Sequence, residues 1–85
     1  MTGVVTFYAL IGAGRSAHTP SGIARRRNEV KGRVDEALRR DLTWEPDSAL
    51  IEWEYGEVGP DVVEISDAAA QRLIARFRVL WAEQT

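Results

Sequence analysis

The sequence predicts an α+β fold: four strands in a mostly antiparallel sheet, covered on one face by a C-terminal helix, in the order β-β-α-β-β-α. Three observations lead there. Residues 61–65 read as a strand, Ser66 as a cap, and the residues after it as a helix reaching about Glu83. Leu73, Ile74, Phe77, Leu80 and Trp81 recur at helical spacing and form one apolar stripe. The rest of the chain is rich in short strand-like runs, and a sheet is the surface that such a stripe needs.

Taken from the start, residues 4–11 are β-branched and aromatic, which marks a strand ending in Gly12-Ala13-Gly14. Val5, Phe7, Ala9 and Ile11 share one face, while Thr6, Tyr8 and Leu10 share the other. Apolar residues on both faces place this strand in the interior of the sheet. Residues 12–22 are a long loop broken by Gly12, Gly14, Pro20, Ser21 and Gly22. Residues 23–28 are the return arm of a hairpin. Arg25, Arg26 and Arg27 put charge on both of its faces, a pattern suited to an edge. Gly32 then makes a turn.

Residues 34–41 are expected to form a short helix, with Val34, Ala37 and Leu38 inward and Glu36, Arg39 and Arg40 outward. Residues 43–48 connect, and Pro46 stops the helix. Residues 49–55 alternate. Ile51, Trp53 and Tyr55 point to the core and Glu52 and Glu54 to water, as in a strand with one wet face. Gly59 and Pro60 turn the chain into the last strand, whose Val63 and Ile65 are expected to be buried. Ser66 caps the final helix, and Asp67 suits its positive end.

Length and composition narrow the function. Eighty-five residues suit one small domain of modest stability. With no Cys there is no disulfide, no thiolate nucleophile and no thiolate metal site. The apolar run near the start is too short to span a bilayer and has no basic segment ahead of it, so a cytoplasmic location is expected and no membrane partner. Net charge is −2, unevenly spread. Residues 1–43 hold eight Lys/Arg against four Asp/Glu, and residues 44–67 hold eight Asp/Glu and no Lys or Arg.

Gly12-Ala13-Gly14-Arg15-Ser16-Ala17 matches the outline of a dinucleotide-binding turn. That chemistry needs a helix N-terminus aimed at the pyrophosphate. His18-Thr19-Pro20-Ser21-Gly22 cannot supply a long one, so no cofactor is expected. His18 is the single histidine, with Ser16, Thr19 and Ser21 beside it. A nucleophile needs a base held by a third group, which this loop does not promise, so no catalytic residue and no metal ligand is assigned.

The candidate interaction surface is Arg25, Arg26, Arg27, Arg39, Arg40, Trp44, Glu52 and Glu54. A protein partner or a homodimer is the leading expectation. The alternative is nucleic acid held by the Arg strand. Cross-strand pairing of those arginines with Glu52 and Glu54, together with an acidic pI of about 5.3, weighs against it. A small enzyme working through His18 comes last.

The words Tyr8-Ala9-Leu10, Pro20-Ser21-Gly22-Ile23, Asp35-Glu36-Ala37-Leu38-Arg39-Arg40-Asp41, Thr43-Trp44 and Val63-Glu64-Ile65-Ser66 run through most of the chain. Together they resemble small uncharacterised proteins of actinobacteria and their phages. The resemblance implies a setting, and no activity, cofactor or site residue.

Overall fold

A computed structural model describes residues 4–12, 15–16, 19–56 and 61–83. The elements run β1 (Val5–Ile11), β2 (Gly22–Glu29), β3 (Gly32–Leu38), β4 (Trp44–Pro46), α1 (Ala49–Glu54), β5 (Asp61–Ile65) and α2 (Asp67–Glu83). The fold is α+β, with an antiparallel sheet of five strands rather than four, ordered β4-β3-β2-β1-β5. β1 is interior, as its two apolar faces predict. β2 is interior too, between β1 and β3, so the arginine strand is not an edge.

Two elements exchange type. Residues 34–41, expected as a helix, instead lie mostly in β3. A two-residue turn at Val30 and Lys31 pairs Glu29 with Gly32 and fixes the register that follows. Gly32 has φ +134°, a conformation that side-chain-bearing residues rarely adopt. The register sets Arg27 opposite Val34, Arg26 opposite Asp35, Arg25 opposite Glu36 and Ala24 opposite Ala37. Opposite charges therefore meet on both faces of the sheet, which outweighs the helix propensity of Asp35-Glu36-Ala37-Leu38.

Residues 49–55, expected as a strand, form the helix α1. Asp47 accepts a hydrogen bond from the Ala49 N–H at 2.8 Å and starts the first turn. The helix turns Leu50 and Glu54, four residues apart, toward the sheet. Leu50 is 2 % exposed, and Glu54 reaches Arg26. Trp53, expected in the core, is 45 % exposed. The expected connector also contains β4, whose Trp44 pairs with Leu38.

The C-terminal reading holds with two corrections. The Ala69 N–H donates to Ser66 Oγ at 3.1 Å, and α2 buries Ala70, Leu73 and Phe77 against Phe7, Ile23 and Leu38. Leu80, however, is 42 % exposed and lies off the buried stripe. On β5 it is Val62 that is buried, while Val63 is 41 % exposed and Ile65 half-buried. The second sheet face is not bare either. Tyr8 and Leu10 pack with Ala24, Leu50 and Val62.

Candidate functional site

The charged residues sort themselves by face. On the α2 side, Arg25 Nε and Arg27 Nε donate to the same Glu36 oxygen, Oε1, at 2.9 and 3.0 Å. The Arg25 guanidinium lies 4.3 Å from the Trp44 ring centroid, and that ring is 6.1 Å from Phe7. Trp44 is thereby half-buried, with one side on the core and the other under a cation. Burial is the largest influence on the Glu36 carboxyl and pushes it up. The hydrogen bonds and charges of Arg25 and Arg27 together outweigh it and hold the group below its ordinary value of 4.5.

On the α1 side, Arg26 grips Asp35 with two bonds, Nε to Oδ1 at 2.8 Å and Nη2 to Oδ2 at 3.2 Å. It also donates to Glu54 of α1. The bonds to Asp35 and then Glu54 raise the Arg26 guanidinium above its ordinary value, against the opposing pull of burial. Arg33 lies 3.8 Å from both Asp35 and Glu54 and completes the group.

The eight candidate residues are therefore not one surface. Arg25 and Arg27 meet at Glu36 with Trp44 beneath Arg25, while Arg26 joins Asp35 to Glu54. Arg39, just past β3, pairs with Glu45 and Asp47. Arg40 is exposed on the turn that follows, and Glu52 is exposed on the outer side of α1. Asp35 and Glu36, the acids that organise both groups, were not among the candidates. Their signal was present, because Arg25-Arg26 and Asp35-Glu36 mirror one another about the Val30-Lys31 turn. The expected pairing with a Glu52/Glu54 strand gives way to pairing with β3, and Glu54 still contributes from a helix.

His18, Gly14 and Ala17 lie outside the described residues. Nearby, the Arg15 N–H donates to the Gly12 carbonyl at 3.0 Å, and the Thr19 N–H to that of Ser16 at 3.0 Å. These are turns, and residues 15–16 and 19–21 carry no helix.

The exposed apolar groups concentrate elsewhere. Ile51 and Tyr55, the residue that ends α1, are four apart and lie on one flank at 38 % and 78 % exposed. Trp53 takes the other flank and Glu52 stands between them. Beside Ile51 runs an open groove lined by Arg33, Asp35, Pro46, Asp47 and Ser48. Among the described residues no group of three or more metal-ligating side chains converges, and no helix is long and apolar enough to cross a membrane. Comparison of the chain with family models, with curated proteins and with solved structures finds no match.

Proposed function

We propose that the chain is a non-enzymatic protein-binding module, and that its contact surface is the outer side of α1 with the groove beside it. The observation that carries this is the exposure of Trp53 and Tyr55 around Glu52, on and at the end of the helix that covers the second sheet face. A chain this small gains most from burying its aromatic rings. Exposed Trp and Tyr are the side chains that most often anchor protein interfaces. Glu52 stands exposed between the two flanks, which suits a partner whose apolar patch carries a Lys or Arg.

What favours this reading over the nucleic-acid alternative is that Arg25, Arg26 and Arg27 are each engaged by Glu36, Asp35, Glu54 or Glu29. The setting we propose, a cytoplasmic accessory protein of an actinobacterium or its phage, rests on the sequence resemblance. Gene neighbourhood tests it.

The contact surface is tested with a photo-reactive amino acid placed at Tyr55 and, as a control, at Val30, which is 99 % exposed on the hairpin tip. The expected result is a discrete adduct from position 55 alone, lost in W53A with helicity unchanged. Equal labelling from both positions, or retardation of DNA or RNA at low salt without any protein adduct, overturns the reading.

A further inference from the structure

We infer that the outer edge of β5 is a self-pairing edge, through which two copies of this chain join their sheets about a two-fold axis at Val63. The two edges of the sheet differ in kind. β4 has three residues and ends in Pro46, which cannot donate to a further strand. β5 has five residues with no Pro, Lys or Arg, and its register with β1 runs unbroken from Phe7↔Ile65 to Ile11↔Asp61. Among the described residues no strand lies beyond it, and none of the loop or turn hydrogen bonds reaches Val62 or Glu64.

The hydrogen-bond phase decides which groups face outward. The Asn28 N–H donates to the Val4 carbonyl at 3.2 Å, one step beyond the pair Val5↔Arg27. Backbone groups alternate sides along an antiparallel strand, so Thr6, Tyr8 and Leu10 address β2, while Phe7, Ala9 and Ile11 address β5. Their partners Ile65, Val63 and Asp61 point back at β1. Val62 and Glu64 are left with N–H and C=O directed out of the sheet.

A second copy running antiparallel satisfies all four groups. In the register centred on Val63, each Val62 exchanges two bonds with the second copy's Glu64, four in all. The two Val63 side chains then meet as a non-hydrogen-bonded pair, the closer kind. Asp61 falls opposite Ile65 and Glu64 opposite Val62, so no acid directly faces an acid. An unrelated acidic strand lacks this match, and Val63, at 41 % exposed, is the apolar side chain that the pairing covers. The contact is small, so the association is weak and reversible.

Because the chain has no Cys, V63C places one thiol per copy. The paired Cβ atoms would lie about 4.5–5.5 Å apart, near enough for a disulfide to close with a small shift. Mild oxidation is expected to cross-link V63C at least ten-fold faster than V79C, a control on the exposed side of α2. Backbone amide shifts of Val62, Val63 and Glu64 are expected to move with concentration from micromolar to millimolar. E64P removes an outward N–H and no bond to β1, and it is expected to keep the circular dichroism spectrum while abolishing those shifts. Equal cross-linking at both positions, or amide shifts on β5 independent of concentration, overturns the inference. Failure of the α1 labelling leaves this result untouched, since the edge pairing uses none of Ile51, Trp53 and Tyr55.

Discussion

Arg26 and Asp35 sit directly opposite one another on β2 and β3, joined by two hydrogen bonds, with side chains 13 % and 5 % exposed. So little exposure makes the pair costly to break from one side, because the bonds of Asp35 are lost while Arg26 keeps only Glu54. D35A is expected to lose roughly 1–3 kcal/mol in urea unfolding. The double variant R26M/D35L, apolar on both sides, is expected to lie within about 1–2 kcal/mol of the native protein. A double variant as unstable as D35A would show that Arg26 acts through Glu54 instead.

Glu36 and Asp41 set the acid limb of stability. Both carboxyls are held below their ordinary values. Glu36 owes this to Arg25 and Arg27, acting against burial, and Asp41 to hydrogen bonds from the Thr43 hydroxyl and N–H. A group depressed in the folded state contributes stability that is fully present above its unfolded value. That contribution is lost as the pH falls through the folded one. Stability is therefore expected to be level near neutrality and to decline below about pH 4.5, the ordinary glutamate value. E36Q is expected to be less stable at pH 7 and to show a shallower decline on acidification. Thermal unfolding at stepped pH measures both effects.

What the sequence made legible was the periodic and the locally punctuated. The β1 run, the Ser66 cap and the Leu73/Phe77 stripe needed only their own neighbours, and each was found where expected. What misled were short segments whose state is decided at a distance. Asp35-Glu36-Ala37-Leu38 carries helix-forming residues, yet its partner is an arginine strand nine to eleven residues earlier. Ile51-Glu52-Trp53-Glu54-Tyr55 alternates like a strand, yet Leu50 and Glu54 are the residues that find the sheet. The exposed aromatic surface on α1 was hidden by the same reversal, since a strand reading buries Trp53.

Leu42 holds φ +68° in the loop between β3 and β4, a position that usually takes Gly. The loop closes with the Arg39 N–H donating to the Thr43 carbonyl and the Leu42 N–H to that of Arg39, both at 2.8 Å. The strained backbone persists because the Leu42 side chain packs against the main core cluster. L42A removes that packing and keeps most of the strain, so it is expected to cost about 1–3 kcal/mol. L42G removes both, and relief of roughly 1 kcal/mol of left-handed strain is expected to make it the milder change. Should L42G prove the worse of the two, the turn is not strained by its side chain.

Phe77 and Leu80 test whether α2 is a cover with one wet side. Phe77 is 5 % exposed and stacks on Trp81, with ring centroids 4.6 Å apart and planes 9° from parallel. Removing it opens a cavity in the cluster that joins α2 to Phe7, Ile23 and Leu38. F77A is expected to cost about 3–5 kcal/mol, enough to unfold much of so small a chain at 37 °C. Leu80 belongs to the same helical repeat in the sequence but is 42 % exposed, so L80A is expected to cost no more than about 1 kcal/mol. A larger loss on L80A in concentrated than in dilute protein places that side chain in a contact between molecules. Equal losses at Phe77 and Leu80 in dilute protein would mean that α2 is seated differently on the sheet.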